Sequence, residues 1–318
     1  MKSDLIVNWD ALSRADWDRL HAAAGAAMQQ DWAYGDAMRT ASSRARVLRA
    51  HITRADGETL AIAQIVSRAF AGLARLALCT LGPVWIGEVS AADRRRAHKA
   101  LKAALPLPRP RLLVVTPDAE DAGAAGVKGF SRVMTGDATV LVDLAPEPEA
   151  LRAALDPKWR NKLGKAEKSA IRAQRGGTKP AQYRWLLEAE TAQRAKRGYR
   201  ALPPDLTEAW QQSRLAACPQ DKSGGLALYR ASEANNACAG MLFLLHGSRA
   251  TYHIGWTNEV GRSNAAHNLL LWTAMLELRE QGVKELDLGG VNTQSGAGIA
   301  RFKIGTGGRV LQRAGSYV

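Results

Sequence analysis

An ordered set of five elements occurs twice in this chain, and that duplication limits the fold more than any single motif does. The first copy runs through RVLRAHITR (Arg46 to Arg54), TLAIAQIVSRAF (Thr59 to Phe70) and LARLALCTLGPVW (Leu73 to Trp85). Each run is β-branched or alternating, and Asp56-Gly57 is a hairpin signal between the first two. Three antiparallel strands are expected. Ser90, with Asp93 three residues on, resembles a capping box opening a helix to about Ala104, and RLLVVT (Arg111 to Thr116) follows as a buried strand.

The second copy has the same order. GLALYRAS (Gly225 to Ser232), ACAGMLFLLH (Ala237 to His246) and ATYHIGWT (Ala250 to Thr257) are strands parted by turns at EANN and Gly247-Ser248. A helix from Asn264 to Gln281, stopped by Gly282, leads to the strand KELDL, Lys284 to Leu288. Two similar α+β domains explain one long repeat better than a solenoid does. The division falls at 1–137 and 138–318: ATVLVDL (Ala138 to Leu144) opens the second domain as a strand, and the final strand is free to pack back on the first.

Between the copies lies a helical tract, 147–217, with breaks at Gly176-Gly177 and Pro203-Pro204. Within it Lys158, Lys162, Lys165, Arg172 and Arg175 fall at helical spacing, opposite Trp159, Leu163, Ala166 and Ala170. An amphipathic helix with a cationic stripe is expected there, either binding phosphates or simply solvated. More basic residues follow beside Tyr199, a combination that suits nucleotide contact.

The net charge of +14 over 318 residues favours polyanionic partners such as RNA, anionic lipid or phosphorylated substrates. Cys79, Cys218 and Cys238 are scattered singly, which argues against a zinc site or a disulfide framework. Neither a signal-peptide core nor a membrane-length apolar run occurs, so a cytoplasmic protein, soluble or peripheral, is expected.

The glycine-rich stretch DLGGVNTQSGAGIARFKIGTGG, Asp287 to Gly308, fails every nucleotide-loop test. It lacks G-x-x-x-x-G-K-[ST], and no G-x-G-x-x-G stands between a strand and a helix. Metalloprotease and nucleophile-elbow patterns are absent as well. What remains is a strand running into a permissive loop, the kind of place where sites form. Lys303, beside Phe302 and flanked by Gly305, Gly307 and Gly308, either sets an ammonium beside a developing oxyanion or is a surface lysine in a turn.

His253 is mid-strand next to Tyr252, and alternation sends the two to opposite faces. It is either a structural histidine or a candidate base, since its ordinary pKa suits that task. Asp287 and Asp143 end strands and serve as site residues or as caps.

In these residues the chain resembles the FemABX family, non-ribosomal peptidyl transferases built from two tandem acetyltransferase-type (GNAT) domains. Three stretches carry the likeness: LGPVW at Leu81 to Trp85, PKWRNKLGKAEKSAI at Pro157 to Ile171, and AHNLLLWTAMLELREQGVKELDLGG running on to FKIGTGG. With the strand meanders they span about Trp32 to Gly308, while the first thirty residues add little. The resemblance implies two mixed, mostly antiparallel sheets flanked by helices. It also implies transfer of an aminoacyl group from aminoacyl-tRNA to an amine acceptor, a peptidoglycan precursor in the family, with amide bond formation.

The resemblance further assigns charge stabilisation at the transferred carbonyl to Lys303. The loop after the D-L-G-G strand, with Gly289, Gly290 and Asn292, would line the same channel, and Phe302 and Tyr252 join the substrate-binding set. Lys158 and Arg160 match the family's K-x-R-N stretch and are associated with phosphates of acceptor or tRNA. No cofactor is implied, because aminoacyl-tRNA or acyl-CoA enters as donor substrate.

A GNAT domain using CoA carries a Q/R-x-x-G-x-G/A loop before its crossover helix. Here that position reads NEVGRSNAAHN, which departs from the pattern, although Arg262, Ser263 and Asn264 at a helix N-terminus still form an anion site. The alternatives are therefore a CoA-dependent N-acyltransferase acting on a small amine or a polysaccharide-related substrate, and a non-catalytic binder of RNA or an anionic membrane surface.

Overall fold

The structure, a computed structural model, describes residues 5–70, 74–118, 127, 129–198, 202–291 and 296–318. It divides into two units: Met1–Asp137 with Gln312–Val318, and Ala138–Leu311.

The first unit contains β1 (Leu5–Trp9), α1 (Arg14–Ala23), α2 (Trp32–Ala41), β2 (Arg46–Arg54), β3 (Thr59–Phe70) and β4 (Ala74–Thr80). It continues with β5 (Val84–Trp85), α3 (Ala91–Ala104), β6 (Arg111–Thr116) and β7 (Arg132–Met134). The second unit begins with β8 (Ala138–Asp143), α4 (Pro148–Ala154), α5 (Pro157–Glu167), β9 (Arg172–Arg175), α6 (Pro180–Arg197) and α7 (Asp205–Ala217). Then come β10 (Leu226–Glu233), β11 (Asn236–His246), β12 (Arg249–Thr257), α8 (Glu259–Ser263), α9 (Ala266–Glu280), β13 (Glu285–Gly290), α10 (Ala297–Ile304) and β14 (Arg309–Gln312). The last strand, β15 (Ser316–Tyr317), belongs to the first sheet.

The two sheets repeat one another strand for strand. The first has the order β1-β2-β3-β4-β6-β15-β7, with β5 beside β3, and the second the order β9-β10-β11-β12-β13-β8-β14. In each an antiparallel meander is followed by a helix, α3 or α9, that crosses to a parallel neighbour. The sixth place in each sheet is filled by a strand from outside the local run. The chain leaves β7 to lay β8 in the second sheet and returns after β14 to lay β15 in the first.

Separate apolar clusters hold the two sheets. In the first, Leu48, Ile52, Ala63 and Ile65 meet Ala97 and Leu101 of α3. In the second, Tyr229, Phe243, Leu286 and Leu288 meet Leu270, Leu271 and Met275 of α9 and Trp159 and Leu163 of α5. Ser90 caps α3 as its sequence predicts, its hydroxyl accepting from the Asp93 amide.

Three local expectations are corrected. The strand expected over Leu73 to Trp85 stops at Thr80: Leu81 takes φ 51°, and beyond Pro83 the chain turns back to pair β5 with β3. Proline has no N–H to continue the ladder. The helix expected to run from Lys158 past Arg175 ends at Glu167, and Arg172 and Arg175 stand on β9, which covers the open edge of β10. The cationic stripe is thus confined to α5, where Trp159, Leu163 and Ala166 do form the buried face while Ala170 is exposed. Finally, the first thirty residues, given little weight in the sequence, supply β1, which pairs with β2, and the fully buried Trp17.

Candidate active site

The site is set by the way β12 and β13 part. They pair in parallel only at Arg249↔Glu285, Ala250↔Leu286 and Thr251↔Asp287. In the first unit the corresponding strands β4 and β6 stay paired from Arg75↔Arg111 to Thr80↔Thr116. Beyond Thr251, β12 continues to Thr257 along β11 alone, and β13 bends toward β8, its Gly290 opposite Thr139. The second half of β12 therefore presents backbone donors and acceptors that no described strand takes up on that side, which suits an extended ligand chain.

Where β13 ends, Asp287 fixes the turn. Its Oδ1 accepts from the Thr139 hydroxyl at 2.6 Å and from the Gly289 amide at 2.7 Å. Gly289 has φ +74°, a conformation open to glycine at little steric cost, and this aims the next carbonyl inward. Lys303 Nζ donates to that Gly290 carbonyl at 2.8 Å. Thus Thr139, Asp287, Gly289, Gly290 and Lys303 are brought together from β8, β13 and α10.

Lys303 is only 8% exposed. Burial pulls its pKa below the ordinary 10.5, and the Asp287 carboxylate opposes that shift. The expectation of a lysine in a glycine turn is corrected here. Lys303 sits in the last turn of α10, so a helix, and not a flexible loop, fixes its direction. The sequence concealed the helix because Gly296 and Gly298 read as loop punctuation.

Helix α5 buttresses α10. Asp156 caps α5, accepting from the amides of Lys158 and Trp159, and its own amide donates to the Gly305 carbonyl at 2.9 Å. Trp159 Nε1 donates to the Phe302 carbonyl at 3.0 Å, and the two rings lie 6.0 Å apart. The Phe302 ring is also 6.2 Å from that of His267. His267 Nε2 lies 3.0 Å from the Trp256 carbonyl, and that partner requires the proton to sit on Nε2. Burial holds its pKa below 6.5, so the ring is neutral at physiological pH. His267 was not singled out in the sequence; its place in the first turn of the crossover helix was the available signal.

His253 is engaged elsewhere. Its Nε2 lies 2.9 Å from the Thr207 hydroxyl of α7, and burial, with Arg194 of α6 adding, pushes its pKa down to about 4. Among the described residues no hydrogen bond or ring contact joins it to Lys303. The unfolded chain takes up a proton near 6.5 and the fold only near 4. Stability is therefore full above 6.5 and falls as the pH drops toward 4, by up to about 3 kcal/mol. Urea unfolding of the parent and of His253→Gln across this range checks the point: the variant's profile is expected to be flatter.

Tyr252 packs 5.6 Å from Phe243, and its hydroxyl fills the space beside Gly255, where a Cβ would stand 1.7 Å from it. Lys158 is exposed and Arg160 half-buried on α5, with no side-chain hydrogen bond or ion pair to a described residue. Asn292 lies outside the described residues.

The helix expected from Asn264 begins instead at Ala266, and Arg262, Ser263 and Asn264 close the separate short helix α8. Asn258 starts that helix by accepting from the Gly261 amide. Arg262 donates to the Thr257 carbonyl and Asn264 to that of Val260, so both side chains hold their own loop.

An antiparallel meander, a crossover helix and a parallel strand, the acetyltransferase-type arrangement, are present in both units, and in the second the two parallel strands also part. The family model for the acetyltransferase (GNAT) domain matches residues 141–303, and the chain belongs to that family of acyltransferases. No curated protein matches.

Among solved structures, FemX is similar at TM-score 0.79 and 14% identity, over 98% of this chain and 96% of that one. L-PGS from Bacillus licheniformis is similar at 0.55 and 11%, over 95% and 90%. A tandem GNAT protein from the clavulanic acid biosynthesis pathway is similar at 0.53 and 13%, over 98% of both chains. The FemABX-like tandem GNAT architecture expected from the sequence is thereby shown. No helix among the described residues is long and apolar enough to cross a membrane.

Proposed function

We propose that the chain is a FemABX-type acyltransferase that moves an aminoacyl group from an ester on tRNA to an amine acceptor, with a peptidoglycan precursor as the acceptor class. The observation that carries this reading is the buried Lys303 ammonium, held on the Gly290 carbonyl where β12 and β13 part. The amine nitrogen attacks the ester carbonyl carbon, and the carbonyl oxygen gains negative charge beside Lys303. As the tetrahedral species collapses, the carbon–oxygen bond to the ribose breaks, the departing oxygen takes a proton, and the amine loses one. A fixed cation at that oxygen lowers the barrier because it needs no reorganisation when the charge appears. Lys158 and Arg160, at the start of α5 and with no side-chain partner among the described residues, are the cations this reading assigns to donor or acceptor phosphates.

A CoA thioester as donor is the second reading, favoured by the family itself and by the open side of β12, where an extended arm fits. Against it stands the use of Arg262 and Asn264 within their own loop. Calorimetric titration with acetyl-CoA and filter binding of aminoacyl-tRNA separate the two. The tRNA reading expects retention of charged tRNA and no micromolar acetyl-CoA binding, and the reverse result overturns it. Cytoplasmic placement accords with a tRNA donor.

The role of Lys303 also fixes the pH dependence. The charged form is needed, and its pKa is lowered, so turnover is expected to fall on the alkaline side below the ordinary lysine value of 10.5. A rate–pH profile on a stable acceptor checks this; a flat alkaline limb to that value would count against the ammonium.

A further inference from the structure

The first unit holds a cavity of about 750 Å³ where the last turn of α3 meets the start of β6. Its walls carry the cations Lys102, Arg109 and Arg111, with apolar surface from Leu105, Leu113 and Pro110. No carboxylate lines it among the described residues. The volume is that of a small-molecule site.

Closing the end of α3 explains only one of these cations. Arg111 Nη1 donates to the Leu107 carbonyl at 2.6 Å and Nη2 to the Ala103 carbonyl at 3.1 Å. Trp9 Nε1 takes the Ala104 carbonyl at 2.9 Å, so the helix end has its donors without Lys102 or Arg109. Both partners of Arg111 are neutral and leave its charge uncompensated. Lys102 Nζ lies 5.4 Å from the centre of the Phe130 ring, and the Arg109 side chain has no partner among the described residues.

The sheet adds a fourth cation. Arg75 on β4 pairs in register with Arg111 on β6, so both side chains leave the face on which Ala77 and Leu113 join the α3 core. None of the four has an ion pair to a described residue. Like charges this close repel, the more so beside apolar walls, and a bound anion removes that cost.

We propose that this cavity binds the phosphate group of a small ligand, at a site formed within the first unit and separate from Lys303. Guanidinium forks and an ammonium together suit phosphate oxygens, and several unpaired cations favour a group with more than the single charge of a carboxylate. RNA fits less well, since no aromatic ring lines the cavity for bases to stack on.

Calorimetric titration of the full chain with inorganic pyrophosphate at low salt provides the test. The parent is expected to bind it, and Lys102→Glu/Arg109→Glu, at exposed positions, to bind about tenfold more weakly or worse. Arg111 stays intact in these variants because it also closes α3. Lys102→Ala and Arg109→Ala should each give an intermediate loss, and a thermal melt of each variant separates lost binding from lost folding. Lys222→Glu/Lys284→Glu, exposed positions in the second unit with the same change in charge, should bind within about twofold of the parent. Lys303→Ala should bind as the parent does. Undetectable binding by the parent overturns the proposal, as does equal binding by the Lys102/Arg109 double variant, an equal loss in the Lys222/Lys284 control, or loss in Lys303→Ala. Equal affinity for sulfate, which means an adventitious ion only, overturns it too, as does an RNA oligonucleotide held through Lys102 and Arg109 while pyrophosphate is not bound.

Discussion

Lys303→Ala should lower kcat about a hundred- to a thousandfold, the loss typical of removing one fixed donor at a developing oxyanion. The fold should survive. Among the described residues the Lys303 side chain makes one hydrogen bond, to Gly290, and its charged head is itself a cost of burial, so its removal leaves no buried cation behind. Donor binding should change far less than turnover, because the charge on the carbonyl oxygen develops only in the transition state. Lys303→Met, which keeps the apolar length without the charge, should be as slow as alanine. Steady-state kinetics with a circular dichroism melt for each variant measure both halves. A variant that melts with the parent and turns over at the parental rate would remove Lys303 from the chemistry.

Asp287→Ala carries the second large effect, through position and not through contact with substrate. The carboxylate accepts from Thr139 and Gly289, and these two bonds set the turn that presents the Gly290 carbonyl to Lys303. Without it the Thr139 hydroxyl, on a residue with no exposure, and the Gly289 amide both lose their acceptor. A displacement of the ammonium by about 1 Å is enough to cost on the order of a hundredfold in rate. Asp287→Asn keeps an oxygen in the same place and should recover much of the loss. Measured kcat in the order parent, asparagine, alanine would support a positioning role. An asparagine variant as slow as alanine would instead point to the charge of Asp287 acting directly on the reaction.

Much of the fold was legible because the meanders obey strong local rules. The strands from Arg46, Thr59 and Arg111 and the helix capped by Ser90 form where alternation and capping place them. The failures have specific causes. Arg172 and Arg175 sit at helical spacing from Lys158 and Lys165, yet the open edge of β10 takes them as a strand, a demand that no local pattern expresses. The first strand was passed over because a run of five residues gives almost no periodic signal.

At the site, Lys303, Asp287, Gly289 and Gly290 were visible as a strand end running into a glycine-rich stretch. Thr139 was not, because it comes from a strand almost 150 residues earlier and meets Asp287 only once β8 has entered the second sheet. His267 was hidden for a related reason: its tautomer and its neighbours depend on Trp256 and Phe302, residues on two other elements. His253 drew notice as the histidine of a strand, and its bond to Thr207 is a tertiary fact.

Acyl transfer to an amine at Lys303 is best measured by mass spectrometry of amine acceptors incubated with the protein and charged tRNA. Parallel reactions should contain acetyl-CoA, or Lys303→Ala in place of the parent. An acceptor heavier by one aminoacyl residue is expected, formed by the parent with charged tRNA and all but absent with the variant. Equal product from Lys303→Ala, or no product with either donor, would contradict it.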